Sequence, residues 1–299
     1  MKQPEKLSYS SFDNDSFDYL KWGDSHFPKT VIIAVHGING AAQDYDNLAS
    51  HLIENIDTEK GITLYAPETR GQGNDRNVRR RGDIYRKEEW FKDLNTFTRM
   101  IRSEHPKAEI IWCGESMGSL IVTHSYVNFD SKTTASKPDR MILLAPVVSL
   151  RPHLPIWKHK LANTLAYLLP RFKVSLNLFS GQQAVKVTQS GDSHDEQAAT
   201  NSYFIEKFTL RLLATLGNLI SDMNSIATNI NIPIMVVNGA HDYFTPPDIT
   251  EEFYAHIPHS ESNQHAYFLD SYHLLMYDAH HKEIFNEISQ WITEKKCKD

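Results

Sequence analysis

An α/β fold around a mostly parallel sheet is what this sequence predicts, and two observations predict it. Short apolar runs rich in β-branched residues alternate with longer segments of helical spacing. One long stretch, residues 151–228, breaks that alternation before it resumes, which reads as an insertion into a single α/β unit. At 299 residues the chain can bury the core such a unit needs.

Taken in order, Leu7 to Phe12 and Phe17 to Trp22 flank Asn14 and Asp15 and read as an antiparallel hairpin. Core strands are expected at 30–35, 61–66, 110–113, 140–144, 234–237 and 266–269. Helices are expected between them at about 42–56, 88–104 and 117–128, with a closing helix at about 279–295. The last carries Ile284, Phe285, Ile288, Trp291 and Ile292 at helical spacing, so one face should pack on the sheet.

The domain organisation is therefore a core of 1–150 and 229–299 with a helical cap at 151–228, inserted before the strand at 234–237. Within the cap, Trp157 to Leu169 is a helix candidate with Trp157, Leu161, Leu165 and Leu168 on one stripe. Phe204 to Met223 is a second, carrying Phe208, Leu212, Leu216, Leu219 and Met223. The polar stretch Gln189 to Glu196 reads as a loop. Ligands of open α/β sheets bind beyond the strand ends, which is where such a cap would lie.

Composition narrows the function. Lysine plus arginine number 31 against 37 acidic residues, a net charge of −6, which disfavours nucleic acid as a partner. The two cysteines, Cys113 in an apolar strand and Cys297 in the tail, suggest neither a bridge nor a metal site. The N-terminus lacks the apolar stretch of a signal peptide, and no apolar run reaches the roughly 18 residues that span a bilayer. The expectation is a soluble cytoplasmic protein.

The chemistry is concentrated in Gly114-Glu115-Ser116-Met117-Gly118, directly after the strand run Glu109 to Cys113. A serine with glycines two residues away on each side, between strand and helix, fits a sharp turn that lifts its Oγ clear of the sheet. Serine needs a base to act as a nucleophile, and the base needs an orienting group. Asp242 leaves the strand Pro233 to Val237 through a tight turn, and His273 follows the strand ending at Leu269. The expected roles are Ser116 nucleophile, His273 general base and acid, and Asp242 the carboxylate that fixes the imidazole. Rival readings are His241 as base, Asp270 as acid, and His36 as a loop residue or proton carrier. Charge developing on an attacked carbonyl calls for backbone donors, expected from Met117 and from Ile38 in His36-Gly37-Ile38-Asn39-Gly40.

These segments, with Glu68-Thr69-Arg70-Gly71-Gln72-Gly73 and Gly239-Ala240-His241-Asp242, resemble the monoacylglycerol lipase and lysophospholipase branch of the α/β-hydrolases over about 29–293. The resemblance implies an α/β-hydrolase fold with a cap, triad positions at Ser116, Asp242 and His273, and oxyanion donors at Ile38 and Met117. It implies cleavage of carboxylic esters of a lipid-like substrate, a monoacylglycerol or lysophospholipid, through an acyl-enzyme; no cofactor is expected, because the triad and oxyanion donors suffice for acyl transfer, and no metal is expected. Small soluble acyl esters or thioesters are the alternative substrates, and a non-catalytic binding protein is a third reading. The chain departs from the family pattern at Glu68, Asp75 and Glu115, where aspartate, serine and histidine are usual. The basic run Arg76 to Arg81, with Arg86 and Lys87, is either a solvated loop or a surface for peripheral contact with anionic head groups.

Overall fold

The structure is a computed structural model and describes residues 3–25, 27–56, 61–128, 136–149, 156–175 and 203–294. Among these, eight strands form one sheet: β1 (Glu5–Ser10), β2 (Ser16–Trp22), β3 (Thr30–Val35), β4 (Ile62–Pro67), β5 (Glu109–Glu115), β6 (Arg140–Leu144), β9 (Ile234–Gly239) and β10 (Gln264–Phe268). Their order is β1-β2-β4-β3-β5-β6-β9-β10. β1 and β2 pair antiparallel, as do β2 and β4, and every other pair is parallel. β7 (Lys173–Ser175) and β8 (Lys207–Thr209) make a separate antiparallel pair. The helices are α1 (Asp46–Asn55), α2 (Lys87–Glu104), α3 (Met117–Val127), α4 (Ile156–Leu168), α5 (Leu210–Ala227), α6 (Pro247–Ala255) and α7 (His281–Thr293).

Successive strand residues face opposite sides, and here both sides are covered, so the runs are apolar throughout. Ile33, Trp112, Leu143 and Val236 point into one core with residues of α2, α3 and α5. Ile32, Cys113, Ile142 and Val237 point into the other, against Leu48 of α1 and Phe285, Ile288 and Trp291 of α7. Burying each such Ile or Val side chain contributes roughly 1.5–3 kcal/mol.

The parallel register brings the strand ends to one edge. Val35 lies opposite Gly114, Glu115 opposite Leu144, Leu144 opposite Val237, and Phe268 opposite Gly239. The loops after β3, β5, β9 and β10 therefore emerge together, and these loops carry the candidate site.

The hairpin turns at Asn14, whose left-handed φ of 66° is within that residue's reach, with Ser11 and Asp15 closing the turn. Arg70 ties this hairpin to α2. Its guanidinium donates to Asp93 at 2.7 and 2.8 Å and to Asp13 at 3.0 Å, and it stacks 5.0 Å from the Phe17 ring. The basic run is partly spent in the same way. Arg80 forks onto the buried Asp75 and reaches Asp15, while Arg76 pairs with Asp18.

The 151–228 segment differs from expectation in two details. The second helix candidate begins with strand β8 and turns helical only at Leu210, where the Thr209 side chain accepts from the Leu212 amide. This N-cap holds the chain extended up to Thr209, so Phe208 is buried from a strand. The rest of the stripe, Leu212, Leu216, Leu219 and Met223, enters the core. On α4, Leu165 and Leu168 are 42% and 64% exposed while Ala166 is buried, so the leucines do not face the interior. The Trp157 and Leu161 side chains and the loop expected at Gln189 to Glu196 lie outside the described residues. No described helix is long and apolar enough to cross a membrane.

Candidate active site

β5 ends at Glu115 and α3 starts at Met117, which leaves Ser116 alone to reverse the chain. Its φ of 52° and ψ of −114° are sparsely populated for a residue with a Cβ, a strain of about 1–3 kcal/mol. The surroundings hold it there. The Ser116 amide donates to the Leu144 carbonyl at 2.9 Å, and Ser119 Oγ donates back to Gly114 at 2.7 Å. Gly118 lets α3 pass over β3, since a Cβ added there would lie 1.9 Å from the Val35 carbonyl oxygen.

The hydroxyl so presented lies 2.9 Å from His273 Nε2, and His273 Nδ1 lies 2.8 Å from Asp242 Oδ2. All three residues are buried. Asp242 Oδ1 accepts the amides of Phe244 and Thr245 at 2.8 and 3.1 Å, which fixes the carboxylate. The loops carrying acid and histidine are stitched together, Ala240 donating to Phe268 and His241 to Ser271, both at 2.9 Å. Asp278, buried behind the His273 loop, accepts from the Tyr272 amide and the Ser271 hydroxyl.

The rival side chains stand elsewhere. Asp270 is exposed, and His241 packs against the Tyr272 ring. His36 is buried with Nε2 accepting the Thr69 amide at 3.1 Å, which makes it a brace of the loop. That loop is held further by Asn39, in a left-handed conformation at φ 58°, whose amide donates to Gln72 and whose Oδ1 accepts the Ile205 amide at 2.8 Å. Ile38 is half-buried on the loop, and Met117 opens α3. The first amides of a helix have no partner within it, so the Met117 N–H is a free donor by position.

Burial pushes the His273 imidazole toward its neutral form, but the Asp242 carboxylate, with Glu115 adding to it, reverses this and raises its pKa above the ordinary 6.5. Glu115, fully enclosed beside the serine, is pushed up to about 7 by burial, with His273 and the Gly37 backbone pulling it down and Asp44 and Asp242 pushing it up. Its carboxylate fills the space beside the loop: a Cβ on Gly37 would lie 2.5 Å from Glu115 Oε2. The sequence marks Glu115 only as a departure from the family pattern and gives no sign of the second carboxylate in its neighbourhood, Asp44, which accepts from the Tyr277 hydroxyl and the Ala41 amide, both at 2.8 Å. Pattern carries no trace of that contact, because Asp44 and Tyr277 come from opposite ends of the chain.

A hydroxyl, an imidazole and a carboxylate in a hydrogen-bonded line can pass a proton away from the serine while its oxygen attacks. Sequence comparison places this geometry in a family. The family profile described as Hydrolase_4, Serine aminopeptidase, S33, matches residues 26–280. The chain belongs to that family. An uncharacterized abhydrolase domain-containing protein of Dictyostelium discoideum is 20% identical over 283 residues, 95% of this chain, but the chain spans only 28% of that protein's length. Among solved structures, a soluble variant of monoglyceride lipase from Saccharomyces cerevisiae, in complex with a substrate analog, superposes with a TM-score of 0.79 at 18% identity, covering 98% of this chain and 96% of its own. The monoacylglycerol lipase of Paleococcus ferrophilus gives 0.75 at 18% identity, over 92% and 98%. A thermostable carboxyl esterase from Bacillus coagulans, in complex with glycerol, gives 0.77 at 15% identity, over 98% of each chain. These likenesses establish the α/β-hydrolase fold.

Proposed function

We propose that this α/β-hydrolase is a carboxylic ester hydrolase acting on a lipid-like acyl ester, a monoacylglycerol or lysophospholipid, through an acyl-enzyme on Ser116. The observation that carries the reading is the line from Ser116 Oγ to His273 Nε2 at 2.9 Å and from His273 Nδ1 to Asp242 at 2.8 Å. Ser116 Oγ attacks the ester carbonyl and its proton passes to His273 Nε2, while Asp242 stabilises the imidazolium and keeps the ring oriented. The amides of Ile38 and Met117 take the oxyanion that develops. Collapse of the intermediate breaks the bond to the alcohol, which leaves with the proton from His273. Water then repeats the sequence on the acyl-enzyme, releasing the fatty acid and restoring Ser116.

A lipid-like acyl group is favoured over a small one by the character of the 151–228 segment, read as a cap. Leu165, Tyr167, Leu168, Leu169 and Phe172 are all exposed there, an apolar surface suited to receiving an acyl chain. The monoglyceride and monoacylglycerol lipases among its structural relatives are consistent with this reading. The test is kcat/KM along a series of nitrophenyl esters from acetate to laurate. Two further buried methylenes are worth about 1.6 kcal/mol, so each two-carbon step should raise kcat/KM up to roughly tenfold until the site is filled. A maximum at acetate or butyrate would contradict the lipid reading and favour small soluble esters.

A further inference from the structure

An open cleft of about 430 Å³ lies between the loop after β4 and the β7–β8 pair. Arg79, Arg80, Arg171, Lys173 and Arg211 line it, with Asp83 as its single carboxylate. Asp83 is already committed, both of its oxygens taking the Arg211 guanidinium and one also taking the Thr209 hydroxyl. Arg80 is turned onto Asp75 and Asp15, and Lys173 Nζ donates to the Arg81 carbonyl at 3.0 Å. Arg79 and Arg171 have no acidic partner among the described residues. In a chain of net charge −6, this is a local reversal of sign.

Two guanidiniums that line one cleft without acids of their own repel one another unless an anion joins them, and arginine forks select for anion shape. A carboxylate has two oxygens and satisfies one fork, as Asp83 does for Arg211. A phosphate monoester offers three oxygens and close to two charges, enough to engage two guanidiniums from opposite walls. We propose that the cleft binds a phosphate monoester, clamped between Arg79 on the β4 side and Arg171 on the cap side with Lys173 and Arg211 in support. The group could be carried by a small soluble molecule or by a lipid head group. The site is separate from the Ser116 chemistry and does not depend on it, since no lining residue belongs to that constellation.

The test is calorimetric titration of the full-length protein with inorganic phosphate at low ionic strength, beside an Arg79→Gln/Arg171→Gln double variant. Both arginines are exposed, so the variant should fold normally. One saturable site, weakened at least tenfold in the variant, is the expected result. Phenylglyoxal modification of the unmutated protein gives the same answer without mutagenesis: phosphate should protect Arg79 and Arg171 but not the exposed Arg99, as read by mass spectrometry. Sedimentation with phosphatidylcholine vesicles, with and without phosphatidic acid, separates the two carriers. Binding to phosphatidic acid that the variant loses and phosphate competes away assigns the group to a lipid, whereas phosphate binding without vesicle binding assigns it to a soluble molecule. The proposal is overturned if neither probe binds saturably, or if the double variant binds as the wild type does.

Discussion

Ser116 is strained, and the neighbours of His273 raise its pKa, which has a measurable consequence for that single residue. A base must be neutral to accept a proton, so with His273 as the proposed base its raised pKa should place the acid limb of kcat/KM above the ordinary histidine value of 6.5. Glu115 contributes to that rise when ionised. Replacing it by glutamine removes a negative neighbour of the imidazolium, lowers the His273 pKa and should move the acid limb to lower pH, as a pH–rate profile on a nitrophenyl ester will show. An unmoved limb would mean that Asp242 alone sets it. Asp242→Asn keeps the shape of the carboxylate but favours the wrong tautomer of His273, and kcat should fall on the order of 10⁴-fold with the fold intact. At this scale Ser116, Asp242 and His273 were legible because each follows a strand-like apolar run at a turn, and the structure brings the three within hydrogen-bond reach. It was silent on how Glu115 packs against Gly37, since nothing local in either segment encodes the other.

Elements are where backbone clearance and buried charge decide stability. The elbow works only if α3 can pass over β3, so Gly118→Ala, whose methyl would sit 1.9 Å from the Val35 oxygen, should lower the melting temperature and abolish activity together. Thermal denaturation followed beside activity would reveal a separation of the two if the close approach were less demanding. Arg70 holds the hairpin to α2 by satisfying Asp93, whose carboxyl is pushed up by burial and pulled back by Arg70. Arg70→Ala leaves that carboxylate buried and unpaired, and urea unfolding should register a loss of about 3–5 kcal/mol. The central strands were legible as short, continuous apolar runs, and helices such as α2 and α7 by the periodic apolar face each buries. The short pair β7–β8 and helix α6 were not: three-residue strands have no period to read, and α6 is nine residues opened by prolines. At α5 the periodic stripe was legible, but its start was hidden, because Thr209 caps the helix after a strand that continues the same apolar spacing.

For the whole molecule, the parallel register is the device that matters, since it delivers four loops from distant parts of the chain to one edge of the sheet. Solved structures at 15–18% identity superpose with TM-scores of 0.75–0.79, so the arrangement survives replacement of most side chains. Over this frame, in the described part of the 151–228 segment, α4 exposes its leucines and the basic cleft opens beside β7. Activation of Ser116 as a nucleophile can be read by treating the protein and its Ser116→Ala variant with a fluorophosphonate and locating the label by mass spectrometry. Stoichiometric labelling at Ser116 and none in the variant is the expected result. A wild-type protein that takes no label, or a variant labelled to the same extent, would contradict it.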